Sequence, residues 1–164
     1  MNYKTSLAFR KETLVKLLNA IVLLEDEIVQ ALYDDFKKPA FEAVLTETNY
    51  VITELKDTIK NLNKWAKPER VWPSILNFPS TDYILREPYG KVLIIAPWNY
   101  PFQLALCPLV SAVAAGNQVV LKPSELTPNT AAIIKKIIEK VFHVSHVKIE
   151  NGGVEVAQKQ IGRA

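Results

Sequence analysis

Three short apolar runs, at 92–96, 118–122 and 147–150, set the strongest limit on what this chain can fold into. Each is strand-length, and none shows the apolar–polar alternation of a strand with one wet face. The stretches between them carry helical spacing, with Ile133, Ile134, Ile137, Ile138 and Val141 on one face of the second. Strand, helix, strand, helix, strand in this order predicts an α/β fold whose parallel sheet is covered on both faces.

The first half reads differently. Leu14, Leu17, Leu18, Ile21 and Leu24, then Ile28, Leu32 and Phe36, repeat at three and four residues and predict helix over 5–36. Glu25-Asp26-Glu27 marks a break within it, because acids favour a first helical turn. Lys37-Lys38-Pro39 ends the second helix. A third helix is expected over 40–65, with Val44, Val51, Leu55, Ile59 and Leu62 as its stripe and Glu47 as the one interruption. Pro68, Pro73 and Pro79 then mark an extended connector. A short strand at 82–87 and a turn at Pro88-Tyr89-Gly90 lead into the α/β part. The chain therefore divides into helices and connector at 1–79, a short strand segment at 80–88 and the α/β unit at 89–164.

Local signals place the later helices. Pro108 falls inside the 101–115 stretch and should kink that helix or delay its start. Gly116-Asn117 is its stop signal. Thr127 reads as an N-cap with Pro128 at the first position of the next helix. Asn151-Gly152-Gly153 is a tight turn before a last helix at 154–161.

The bulk properties exclude several classes. The 20 basic and 17 acidic residues are interspersed, without the basic stripe of a nucleic-acid binder. A single cysteine, Cys107, rules out an internal disulfide or a multi-cysteine metal site. His143 and His146 lack a carboxylate at ligand spacing and read as a solvated helix terminus, so no metal is expected. The start, Met1-Asn2-Tyr3-Lys4-Thr5-Ser6, has no apolar leader core, and no run approaches a membrane span. The expected compartment is the cytoplasm.

Two strand ends carry the candidate chemistry. Pro97-Trp98-Asn99-Tyr100-Pro101 follows the first apolar run, and its prolines stiffen the turn. Asn99 is either a helix cap or an amide donor placed for developing negative charge. Lys122-Pro123-Ser124-Glu125 follows the second run. Lys122 either leaves the strand for solvent or, with Glu125, holds a vicinal diol by donating and accepting. Glu125 alone could equally be a first-turn acid. Trp98 could line a pocket or fill core. Ligands of such sheets sit beyond the carboxyl ends of the strands, where both motifs fall. No G-x-G-x-x-G follows any strand, so the usual dinucleotide fingerprint is missing. Cys107 lies in an apolar run without a neighbouring base and reads as an inert thiol.

Glu87-Pro88-Tyr89-Gly90-Lys91-Val92, Ala96-Pro97-Trp98-Asn99-Tyr100-Pro101, Ala114-Ala115-Gly116-Asn117 and Lys122-Pro123-Ser124-Glu125-Leu126-Thr127-Pro128 occur in this order. Together they resemble the NAD(P)-dependent aldehyde dehydrogenases. The PWNYP form, Ala31-Leu32-Tyr33 with Asp35, and Asn151-Gly152-Gly153-Val154 are most similar to the class 3 and fatty-aldehyde branch. The resemblance implies N-terminal helices followed by the first part of a parallel, Rossmann-like cofactor-binding sheet. It implies that Asn99 holds the oxyanion formed when a cysteine thiolate attacks an aldehyde. It implies that Lys122, Ser124 and Glu125 lie on the adenosine ribose, with Ile95, Ala96 and Trp98 as the wall beside the cofactor. That cofactor is NAD, with NADP possible; Glu125 near the ribose disfavours an added phosphate by charge. The strand segment at 80–88 resembles part of a bridging and oligomerisation element, and a full-length relative is expected to be a homodimer.

The family's phosphate loop, general-base glutamate and nucleophilic cysteine are expected beyond Ala164, and Cys107 does not stand at the nucleophile's position. The chain is thus expected to be the first third of such an enzyme, without its catalytic domain and inactive alone. A non-catalytic nucleotide-binding module and a functionless fragment remain the alternatives. An uncovered sheet edge would give the latter poor solubility, and the 82–87 strand would lack the usual neighbours that the resemblance gives it.

Overall fold

The structure is a computed structural model that describes residues 5–162. Met1 to Lys4, part of the leader reading, and Arg163 and Ala164 lie outside the described residues.

Helical periodicity in the first half becomes α1 (Leu7–Leu23) and α2 (Glu25–Phe36), with the break at Leu24 and Glu25, Asp26 and Glu27 in the new first turn. Ser6 caps α1 by accepting the Phe9 N–H. Lys37 ends α2 in the left-handed conformation, with φ 57°. The third helix is not uniform. It opens as α3 (Ala40–Ala43), widens into a π-helical segment (Val44–Thr48) and continues as α4 (Asn49–Trp65). The wider turn contains Glu47, the one interruption of the apolar stripe. Such bulges change the direction in which a side chain points.

The connector contains a strand that its composition hides. β1 (Glu69–Val71) pairs antiparallel with β2 (Asp82–Ile84), so the expected 82–87 strand is shorter and is paired within the chain. Around this ribbon Trp72, Ile75, Leu76 and Tyr89 are almost fully exposed.

The second half is strand–helix–strand–helix–strand. β3 (Lys91–Ile95), β4 (Gln118–Lys122) and β5 (Val147–Ile149) form a parallel sheet in sequence order. α5 (Pro101–Ala115) and α6 (Pro128–Val141) are its crossovers, and α7 (Val154–Ile161) follows. α5 starts at Pro101 and runs through Pro108 without a delayed start. Gly116 stops it with φ 92°, a conformation open mainly to glycine.

One sheet face is buried and the other is partly open. Ile94, Val119, Leu121 and Val147 sit in the core, while Lys91, Ile95 and Lys148 on the opposite face are exposed. Full cover of both faces, as the apolar runs implied, is therefore met on one side only. α1, α2 and α4 pack on the outer surfaces of α5 and α6 and complete one continuous core from Leu14 to Val147. The helical layer thus sits directly over the helices that leave the strand ends.

Candidate functional site at the strand ends

β3 and β4 end together. Ile95 pairs with Lys122, and the Lys122 carbonyl accepts the Ala96 N–H at 2.9 Å. The 97–101 turn and the 122–127 loop therefore leave one rim of one sheet. Ala96 is buried, while Ile95 and Trp98 are about half exposed. The Ala96 backbone N–H is already used within the sheet.

Asn99 is exposed and does not cap α5. The residue at the cap position is Tyr100, in the left-handed region at φ 53° and ψ 55°. A residue before proline is normally pushed to extended backbone. Tyr100 departs from that, and such strain is kept only where surrounding structure imposes it. Glu47 bonds to residues that follow Tyr100. Its carboxylate is fully buried, and Oε2 accepts the N–H groups of Phe102 and Gln103, both at 3.0 Å. Oε1 meets Lys38 Nζ at 2.6 Å. The same ammonium lies 4.6 Å from the Tyr100 ring centroid. An open groove of about 320 Å³ lies alongside, lined by Phe36, Lys38, Glu42, Trp98, Asn99 and Tyr100 among others. Lys122 and Glu125 do not line it.

Lys122 does not leave for solvent. It is 3% exposed, and Nζ donates to Glu125 Oε2 at 2.7 Å and to the Pro123 carbonyl at 3.3 Å. Glu125 remains 38% exposed, so this pair reaches the surface through its acid. The hydrogen bond from Lys122 pulls the Glu125 carboxyl below its usual range. Ser124 is buried, and its Oγ accepts the Leu126 N–H at 3.2 Å, which shapes the loop.

Thr127 stands at the α6 cap position but makes no capping bond; its hydroxyl faces the Ser124 carbonyl at 3.4 Å. Asp35 of α2 does the capping. Oδ1 accepts the Asn129 N–H at 3.1 Å, and Oδ2 accepts the Thr130 N–H at 2.8 Å and its hydroxyl at 2.7 Å. Glu47 and Asp35 are the residues that sequence reasoning missed. The only signals were an acid inside an apolar stripe and an acid at the end of α2.

The remaining candidates fall away from this rim. Cys107 is partly buried on α5, and burial, with Glu54 adding to it, pushes its thiol up to about 11. His146 is not solvated. It is 2% exposed, with the Phe9 ring at 5.4 Å and the Phe142 ring at 5.5 Å. Burial lowers its pKa, opposed by a hydrogen bond with the Asn117 backbone. Among the described residues no group of three or more His, Cys, Asp or Glu could hold a metal ion, and no helix is long and apolar enough to cross a membrane.

The sequence profile of the aldehyde dehydrogenase family matches residues 3–158. The chain belongs to that family. Staphylococcus aureus 4,4'-diaponeurosporen-aldehyde dehydrogenase is 46% identical over 155 residues, which are 94% of this chain and 34% of that protein. Aldehyde dehydrogenase family 3 member H1 of Arabidopsis thaliana is 42% identical over 130 residues, or 79% of this chain and 27% of that one. A substrate-bound structure of Staphylococcus aureus AldH superposes with a TM-score of 0.93 at 45% identity, over 97% of this chain and 34% of that chain. The chain therefore spans about a third of the length of the aldehyde dehydrogenases it matches, at their N-terminal portion, and the relatives it matches include class 3 members. The parallel sheet with its helical layer is the corresponding part of the aldehyde dehydrogenase fold, and the family uses NAD(P).

Proposed function

We propose that this chain supplies the oxyanion donor and the adenosine-ribose contacts of an NAD(P)-dependent aldehyde dehydrogenase site. The observation that supports this reading most is the shared rim: Ile95 and Lys122 are register partners, and the loops bearing Asn99 and Glu125 leave side by side.

Asn99 has an exposed amide on a stiff turn. It donates an N–H to the carbonyl oxygen of an aldehyde as that oxygen gains charge under attack by a thiolate. Cys107 is not assigned that role, since it does not stand where the resemblance places the nucleophile and burial pushes its thiol up to about 11. Lys122 and Glu125 fit a ribose diol. Lys122 has three N–H donors, two of them directed at Glu125 and Pro123, which leaves one for a hydroxyl oxygen. Glu125 accepts from the neighbouring hydroxyl. Bound NAD would supply the hydride acceptor. Ser124 shapes the loop, and Ile95, Ala96 and Trp98 wall the approach. Glu125 disfavours a 2′-phosphate by charge, and the cofactor class is NAD(P). The exposed Trp72, Leu76 and Tyr89 around the β1–β2 ribbon are the surface for a second subunit of the assembled enzyme. Helices and connector (1–79), the strand segment (80–88), which pairs with β1 of the connector, and the cofactor unit (89–164) act as three parts of that assembly.

Calorimetric titration of the chain with NAD tests the ribose contacts. Binding that weakens roughly tenfold in Lys122→Ala is expected for loss of a charge-assisted hydrogen bond. No heat at millimolar NAD, or equal affinity in that variant, contradicts the reading.

A further inference from the structure

Asp35 and Glu47 stand on either side of the Lys37-Lys38-Pro39 turn. Each sends its carboxylate out of the helical layer to the start of a helix that follows one of the two site loops. Glu47 takes the Phe102 and Gln103 N–H groups of α5, 55 and 56 residues away. Asp35 takes the Asn129 and Thr130 N–H groups of α6, 94 and 95 residues away. Neither helix has a side-chain cap from its own N-cap residue. The first N–H groups of any helix need partners, and both sets are met from this one stretch of chain.

We propose that Asp35 and Glu47 are positioning residues, and that the 35–47 segment is a two-armed clamp. It fixes the Asn99 turn and the Lys122/Glu125 loop relative to each other. The inference rests on the functional reading of those loops given above.

Three observations carry it beyond ordinary capping. Glu47 is wholly buried beside Lys38, and a buried ion pair is often no more stabilising than apolar residues of its size. What it adds is direction, since each oxygen is committed to a different partner. The π-helical widening at Val44–Thr48 spans the residue that makes these bonds, and such bulges concentrate at functional sites. Lys38 also touches the ring of Tyr100, the left-handed residue between Asn99 and α5. The clamp therefore grips both the helix after Asn99 and the strained residue next to it.

Amide exchange and side-chain spectra of the 15N-labelled chain, recorded without cofactor, test this. Glu47→Gln keeps the shape of the side chain but sets an amide N–H against the donors around it. Exchange at Phe102 and Gln103 is expected to rise about tenfold or more. The Asn99 side-chain amide and the Trp98 indole signals shift, while Asn129 and Thr130 exchange as before. Asp35→Asn gives the mirror image: faster exchange at Asn129 and Thr130, with Asn99 unmoved. Where Glu47→Gln does not fold, Lys38→Met takes its place and is expected to shift Tyr100 and Asn99. Equal acceleration at both helices in either variant, or unmoved Asn99 and Trp98 signals in Glu47→Gln or Lys38→Met, overturns the clamp. Because no NAD is present, this result is independent of the titration that tests the ribose contacts.

Discussion

Ile95 and Lys122 are side by side at the ends of β3 and β4, and one hydrogen bond of 2.9 Å from Ala96 to the Lys122 carbonyl closes the rim between them. Everything proposed for Asn99 and Glu125 follows from that pairing. Parallel strands in register cannot slip by one residue without turning every core side chain to the other face.

The Lys122–Glu125 bond gives a pH signature. Glu125 has its carboxyl pKa lowered in the folded chain, chiefly by the hydrogen bond from Lys122. A lowered folded pKa contributes stability above the ordinary value of 4.5 and loses it as pH falls through the folded value. Carbon-detected NMR titration should show Glu125 below 4.5 in the wild type and higher in Lys122→Ala, where only the weaker backbone hydrogen bond still lowers it. An unmoved titration would mean that the pair does not persist in solution.

Cys107 should resist alkylation near neutral pH. With its thiol pushed up to about 11, the rate should keep climbing through pH 10 instead of levelling off. Rapid labelling with a midpoint at or below the ordinary 9.0 would reopen Cys107 as a nucleophile.

Gly116→Ala should destabilise the chain by about 1–3 kcal/mol. The position has φ 92°, and a Cβ there would meet the Arg10 guanidinium carbon at 2.5 Å. Arg10 also donates to the Ala114 and Ala115 carbonyls at the end of α5. In urea denaturation, combining Gly116→Ala with Arg10→Ala should cost less than the two single changes added together. Strict additivity would show that the contact is not made.

The acidic and the threonine candidate for the α6 cap, Asp35 and Thr127, separate cleanly. Asp35→Ala should cost about 1–2 kcal/mol, the usual loss for an N-cap. Thr127→Val should cost less than about 1 kcal/mol, because it removes only a long bond to Ser124. Thermal melts of both variants check this, and a reversed order would return the cap to Thr127.

How much of this was legible depended on range. β3, β4 and β5 could be read within a residue because apolar runs of strand length are local signals. α5 and α7 were placed by local stops and turns, and the break at Leu24 by three acids. β1 was missed because Glu69-Arg70-Val71 has no apolar period, and its pairing is a property of the fold. Asp35 and Glu47 were seen as residues but not as caps, since their partners lie 55 to 95 residues away. Thr127 was chosen as the cap on local statistics, which cannot register a carboxylate arriving from α2. His146 was misread in part for the same reason: beside Phe142 it packs against Phe9 of distant α1. The loops bearing Asn99 and Lys122 were readable because prolines and strand ends mark them locally, but their restraint from the helical layer was not.

The most direct measurement is steady-state kinetics of a chimaera in which this chain replaces the matching third of the Staphylococcus aureus relative. Asn99→Ala should lower kcat by about 10²–10³ with the KM for NAD unchanged. Lys122→Ala should raise the KM for NAD about tenfold while kcat stays within a few fold. Near-normal kcat in Asn99→Ala, or an unchanged KM for NAD in Lys122→Ala, would contradict the roles assigned to the two loops of this rim.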